Sequence, residues 1–238
     1  MPDPKNILMN QASVKTLSLK DLSFQRNEKF LFSNISLTLE SGDILQILGQ
    51  NGSGKTTLLR LISTALRPYS GEIIWQGKNV NDIRESYLED VLFLGHQPGL
   101  KRLLSAEENL VWWRRLNKTN LRKNVYAFEE VGLYNHKDEP CNYLSAGQLK
   151  RAALARLCVS EAKLWILDEP FTSIDKEFSI KLKSLIISHL KRGGIVVLAT
   201  HQDLKIENMK YFSIPDLVLI YFSVKKCLFL LGKSHLYF

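Results

Sequence analysis

Apolar and polar residues alternate along residues 14–24, where Val14, Leu17, Leu19, Leu22 and Phe24 carry the apolar positions. Ile35, Leu37 and Leu39 repeat the period of two. Both stretches predict antiparallel strands, with Ser41-Gly42 as the turn into the next one. Residues 43–48 are nearly all apolar and read as a buried strand, followed by a helix over Leu58-Leu59-Arg60-Leu61-Ile62. Pro68-Tyr69-Ser70-Gly71 marks a turn, Glu72-Ile73-Ile74-Trp75 a strand, and residues 91–95 a further buried strand. From about 105 to 160 the period becomes helical. Ser105 with Glu108 forms a capping box, and Leu110, Trp113 and Leu116 share a face of the helix it opens. Leu121, Val125, Phe128 and Val131 repeat at three to four residues up to Gly132. Strands return at 164–168 and 195–200, separated by an amphipathic helix with Ile180, Leu182, Leu185, Ile186 and Leu190 that stops at Gly193-Gly194. The continuous apolar character of these strands is that of a parallel sheet covered on both faces. The fold class is therefore α/β, with an antiparallel part at the start and a helical block inserted over about 99–159.

Bulk properties narrow this little. A chain of 238 residues with 45% apolar residues holds one large domain, divided into a core over about 14–98 and 160–238 and the helical block between them. A net charge of +8 points to an anionic partner: nucleotide, nucleic acid or an acidic membrane surface. Cys141, Cys158 and Cys227 are few and far apart, which argues against a zinc site or redox pair and for a reducing compartment. Residues 1–6 lack the apolar core of a secretory signal. The apolar pieces at 217–224 and 227–231 are each too short to span a bilayer, and Lys225-Lys226 divides them, so they predict two strands around a turn. Trp112 and Trp113 are expected in packing more than in a partner-docking patch.

The chemistry concentrates where predicted strands end. Gly49-Gln50-Asn51-Gly52-Ser53-Gly54-Lys55-Thr56-Thr57 fits G-x-x-x-x-G-K-[ST] between a strand and a helix. Its glycines let backbone N–H groups converge on phosphate oxygens, and the helix end adds its dipole. Lys55 is placed for the outer phosphates and Thr56 for Mg²⁺. Asp168 closes an apolar strand at the position of a Mg²⁺-binding carboxylate. Glu169, one residue on, is placed to polarise an attacking water. His201 ends another strand and is placed to reach the γ-phosphate or to hold Glu169, while Gln97 is placed to touch Mg²⁺ or the water. His96 is expected to serve loop geometry. In open parallel sheets ligands bind at the carboxyl ends of the strands, so these signals converge on one nucleotide. Leu144-Ser145-Ala146-Gly147-Gln148 opens a second helix suited to an anion. It lies in the helical block, which suggests that it closes on the nucleotide of another copy in a two-fold dimer.

These motifs, in this order, resemble those of ABC transporter ATP-binding subunits over about residues 17–205. Leu94-Gly95-His96-Gln97-Pro98-Gly99, Arg151, Leu154-Ala155-Arg156-Leu157, Phe171-Thr172 after Asp168-Glu169-Pro170, and Thr200-His201-Gln202 after Gly193-Gly194 are similar to the cytochrome c maturation, or haem exporter, ATPases. The resemblance implies a P-loop NTPase cassette that binds ATP and Mg²⁺, with Glu169 as catalytic carboxylate and His201 as switch. It implies a head-to-tail homodimer in which Ser145, Gly147 and Gln148 contact the γ-phosphate of the partner's site. Thr172-Ser173-Ile174-Asp175 matches the loop that crosses that seam, which brings Asp175 to the nucleotide. It also implies docking on integral membrane subunits (CcmB- and CcmC-like), at the cytoplasmic face of the bacterial inner membrane, with hydrolysis driving haem handling for c-type cytochromes. No direct nucleic-acid partner is expected. Two departures stand out. Arg26 occupies the place of the aromatic that commonly stacks on adenine, with Phe24 two residues before, and an arginine plane also stacks on a base. The tail from about Lys210 matches no motif and is expected to pack on the sheet. Two alternatives remain open at this level: a cassette serving another cargo, and a soluble ABC protein acting on nucleic acid.

Overall fold

A computed structural model describes residues 16–117 and 124–214, apart from the side chains of 124 and 125. Val14, Leu121, Cys227 and the apolar pieces after 216 lie outside the described residues. Two sheets are present among them. β1 (Thr16–Arg26) pairs antiparallel with β2 (Lys29–Glu40) and β4 (Ser70–Trp75), and β5 (Lys78–Asn79) closes the edge. The second sheet runs β6 (Val91–Leu94), β7 (Leu164–Asp168), β8 (Ile195–Ala199), β3 (Ile44–Leu48), β9 (Lys210–Ser213), all parallel.

The parallel sheet explains its own sequence. Every residue of β7 and β8 is buried. Side chains alternate between the faces, so each strand feeds two cores. Trp165, Leu167, Val196 and Leu198 pack with the helical block and with α6 (Lys176–Lys191). Leu164, Ile166, Ile195, Val197 and Ala199 pack with α1 (Lys55–Ile62) and the antiparallel sheet. Asp168, Glu169, Thr200 and the loop after β3 therefore all emerge at one edge, the carboxyl edge.

The helical block holds α3 (Ala106–Leu116), α4 (Asn124–Glu130) and α5 (Ala146–Val159). The predicted capping box of α3 is present: Ser105 Oγ accepts from Glu108 N at 3.1 Å, and Ser105 N donates to Glu108 Oε2 at 2.8 Å. Its buried face differs in part from the expectation. Leu110 is buried, but Leu116 is exposed and Arg114 is buried instead, because the last turn slides past the core. Trp113 packs on the core, whereas Trp112 is exposed with Lys101 Nζ 4.1 Å above its ring. In α6, Ile180 is exposed while Leu182 and Ile186 are buried. Two short elements had no clear sequence signal: α2 (Arg84–Asp90), pinned by Tyr87 Oη donating to Ile62 O at 2.6 Å, and β9. Part of the tail does pack on the sheet, since β9 pairs with β3 from Leu45↔Lys210 to Leu48↔Ser213. Among the described residues no helix is long and apolar enough to cross a membrane.

Candidate functional site

The loop between β3 and α1 is shaped by backbone angles that only glycine adopts easily. Gly54 is the N-cap of α1 at φ 104°, and a Cβ there would meet the Phe32 ring at 3.2 Å. At Gly49, φ is 152° and a Cβ would fall 2.4 Å from Ser53 Oγ. With glycine as cap, α1 has no side-chain cap hydrogen bond and no acidic residue in its first turn. Its first N–H groups and its positive dipole end thus face the loop's concavity, with no acidic side chain of the helix itself to satisfy them. Lys55 Nζ donates to Gly49 O at 2.7 Å and to Gln50 O at 3.1 Å. Ser53 Oγ is buried without a hydrogen-bond partner among the described residues.

β7 delivers the carboxylates. Asp168 is 2% exposed and its Oδ2 accepts from Thr56 Oγ1 at 2.9 Å. Glu169 leaves the strand at φ 49°, while its N–H still donates to Ala199 O at 2.9 Å and extends the ladder to β8. A non-glycine residue in that region is strained, and such strain concentrates at functional sites. The turn aims the Glu169 carboxylate outward. Its Oε1 lies 3.5 Å from His201 Nε2, and its Oε2 accepts from Thr172 Oγ1 at 3.4 Å.

One cavity of about 460 Å³ gathers these groups: Arg26, Gln50, Asn51, Gly52, Gly54, Lys55, Thr56, Thr57, Asp168, Glu169 and His201 line it, with Leu31, His96 and Thr172. The residues singled out at the strand ends thus meet in one place, with Gln97 as the exception. Gln97 lines a neighbouring cavity, and His96 takes the wall of this one. β6 ends at Leu94 and the chain bends at His96 and Gln97, and of these two residues only His96 reaches the P-loop cavity.

Ser145, Gly147, Gln148 and Asp175 do not line the cavity either. Ser145 caps α5: its Oγ accepts from Gln148 N at 3.3 Å and its N donates to Gln148 Oε1 at 2.8 Å. Gly147 lies so close to the loop after β7 that a Cβ would stand 3.0 Å from Ser173 O. Asp175 caps α6, with Oδ1 accepting from Phe178 N at 2.8 Å, and its other oxygen pairs with Arg151.

Three contributors were not assigned to this site from the sequence. Thr172 holds Glu169, and Leu31 walls the cavity beside Arg26. Gln46 is the third: buried in β3, its Nε2 donates to Thr200 O at 2.9 Å and Gln202 O at 3.3 Å, which fixes the backbone around His201. The available signal was a lone amide inside an apolar strand, since a buried polar group needs a partner. Two cations on α5 lie close behind. Burial pushes the Lys150 ammonium below its ordinary range, against the pull of Asp168 and Glu169, and burial lowers Arg156 to about 10.

Known proteins similar to this chain share its family and fold. A family model described as ABC transporter (ABC_tran) matches residues 32–172. The chain is 46% identical over 201 residues to the cytochrome c biogenesis ATP-binding export protein CcmA of Photobacterium profundum, covering 79% of this chain and 93% of that protein. It is 46% identical over 194 residues to the CcmA protein of Escherichia coli (strain K12), covering 82% and 93%. Among solved structures, a putative ABC transporter ATP-binding protein from Pyrococcus furiosus superposes with a TM-score of 0.73 at 30% identity, over 84% of this chain and 97% of that one. An ATP-binding subunit of an ABC transporter at 22% identity has the same fold, with a TM-score of 0.75.

Proposed function

The chain belongs to the ABC transporter ATP-binding family, and from that membership we propose that it is the ATP-hydrolysing subunit of a membrane export complex for c-type cytochrome biogenesis, coupled to haem transport or to release of a haem-loaded chaperone. The observation that carries this reading is the 46% identity to curated cytochrome c biogenesis export ATPases over most of the chain, with the P-loop, Asp168, Glu169 and His201 on one cavity.

In this reading residues 49–57 wrap the phosphates with backbone N–H groups, and the Lys55 ammonium exchanges the carbonyls of Gly49 and Gln50 for phosphate oxygens. The Arg26 guanidinium lies over the base. The donor set fits Mg²⁺: Thr56 and Asp168 bring two hard oxygens together, and Asp168 is buried without an ion pair among the described residues. Mg²⁺ characteristically takes one or two carboxylates, with waters and phosphate oxygens filling the rest. When bound, the ion neutralises charge on the β- and γ-phosphates. Gln97 would join Thr56 and Asp168 by a turn of loop 95–99. Glu169 accepts the proton of the attacking water, and His201 keeps its carboxylate in position.

Ser145, Gly147, Gln148 and Asp175 are assigned to the nucleotide of a second copy, because their own chain's cavity does not include them. The helical subdomain over 99–159 then presents the lid, and the homodimer docks on CcmB- and CcmC-like membrane subunits at the cytoplasmic face. Deleting the gene and staining for covalently bound haem tests the assignment. Loss of c-type cytochromes, restored by the wild-type chain but not by Glu169→Gln, is the expected outcome. Undisturbed cytochrome maturation overturns the cytochrome role and leaves the ATPase role standing.

A further inference from the structure

A second cavity, of about 480 Å³, shares Asp168 and His96 with the P-loop cavity and extends between loop 95–99 and α5. Its charged lining is unbalanced. Arg60, Lys150 and Arg156 face it, against the single carboxylate of Asp168, which is already engaged by Thr56 on its other side. Lys150 and Arg156 are each only 8% exposed. Lys150 makes no hydrogen bond or ion pair among the described residues, and feels Asp168 and Glu169 only at longer range. Arg156 spends one of its donors on Gly99 O, from Nη2 at 3.0 Å, and among the described residues no other side-chain hydrogen bond holds it there.

Burying two cations with so few partners is costly unless an anion completes the site. An arginine fork and a lysine point charge together suit a tetrahedral oxyanion. The shared wall at Asp168 and His96 puts this cavity next to the place where the γ-phosphate would be cleaved.

We propose that this cavity is an oxyanion site that takes up inorganic phosphate, held by Lys150 and Arg156, after hydrolysis in the P-loop cavity. The choice of phosphate rests on the ATPase reading; the existence of an oxyanion site does not. The P-loop itself binds phosphate, so the test must separate the two. Inorganic phosphate is titrated calorimetrically into the full chain, with sulfate as a competitor. In the wild type, phosphate binding should persist when AMP-PNP and Mg²⁺ fill the P-loop, and it should persist in Lys55→Ala. Lys150→Met should weaken it about tenfold or more, Lys150→Arg should restore it, and AMP-PNP affinity should hardly change. Circular dichroism controls for folding, and Lys150→Gln is the substitute where the Met variant is unstable. Phosphate binding that disappears with AMP-PNP or in Lys55→Ala overturns the proposal, as does equal binding by the wild type and the Lys150 variants. Preference for sulfate over phosphate keeps the oxyanion site and overturns phosphate as its ligand. Failure of AMP-PNP to bind overturns the nucleotide reading instead, and Lys150-dependent phosphate binding is still read in the Lys55→Ala chain.

Discussion

Glu169→Gln changes charge and little else. The substituted side chain keeps its length, and its amide oxygen still accepts from Thr172 Oγ1, now 3.4 Å from Glu169 Oε2. The backbone bond to Ala199 O does not involve the side chain. The contact with His201 at 3.5 Å is exposed on the histidine side, so its loss costs less than about 1 kcal/mol. Folding stability should therefore shift by under about 1 kcal/mol. Turnover should respond far more. A positioned general base contributes roughly 10²–10⁴-fold, which corresponds to a barrier higher by about 3–5 kcal/mol. ATP affinity should stay within about threefold, because Lys55, Thr56 and the loop amides supply most phosphate contacts. Phosphate release by the purified complex gives kcat, titration with a fluorescent ATP analogue gives Kd, and gel filtration with ATP reports the accumulated dimer. A kcat within about threefold of wild type would refute Glu169 as the base. A loss of ATP binding equal to the loss of kcat would show that the carboxylate acts in ground-state binding instead.

Other perturbations test separate links. Lys55→Ala removes a charge-assisted contact to phosphate and should weaken ATP binding by about tenfold or more, read by the same titration; unchanged affinity would remove the P-loop assignment. Ser145→Arg in one protomer of a mixed dimer should impair the site built on the other protomer's Lys55, and full-rate hydrolysis by a monomer would exclude the shared site. Its thermal stability must be checked in parallel, since the capping box of α5 contributes about 1 kcal/mol. Gly194→Ala is a purely structural test. A Cβ there would lie 2.1 Å from His189 Nε2, and His189 is stacked on Trp165 at 3.9 Å. Overpacking should cost about 1–3 kcal/mol and lower Tm by a few degrees or more in a melting scan, and an unchanged Tm would show that the His189–Trp165 stack yields freely.

The parallel sheet was legible because burial on both faces leaves an uninterrupted apolar run, and each run of that kind ended in a residue with chemistry to offer. Asp168, Glu169 and His201 could be assigned to one edge for that reason alone. The loop after β6 was not legible in the same way. Periodicity stops at Leu94, and without a register nothing decides which of His96 and Gln97 faces the phosphates. Gln46 was visible as an anomaly, but its partner carbonyls lie 154 and 156 residues away, and only the pairing of β3 with β8 brings them within reach. β9 was hidden by its exposed side chains; its backbone pairing with β3, and Lys210 Nζ 2.6 Å from Asp43 Oδ2, hold it in place.

The same argument explains why the second cavity left no trace in the sequence. A lysine and an arginine within two turns of one helix, such as Lys150 and Arg156, ordinarily mark solvated positions. In α5 neither position is solvated, since Lys150 and residues 152–157 are all buried. One face packs on α3 and α4 in the helical core, and the other lies under loop 95–99 with the carboxyl end of β7. Two cations are thereby held at the wall of the second cavity, beside Asp168. Long apolar stems make that burial tolerable for the chain, but the charged heads still need an anion or water. Asp168 and Glu169 attract Lys150 without bonding to it, and both carboxylates also face the P-loop cavity, where Asp168 accepts from Thr56. The charge left over on the Lys150 side is what makes an oxyanion the complementary ligand there.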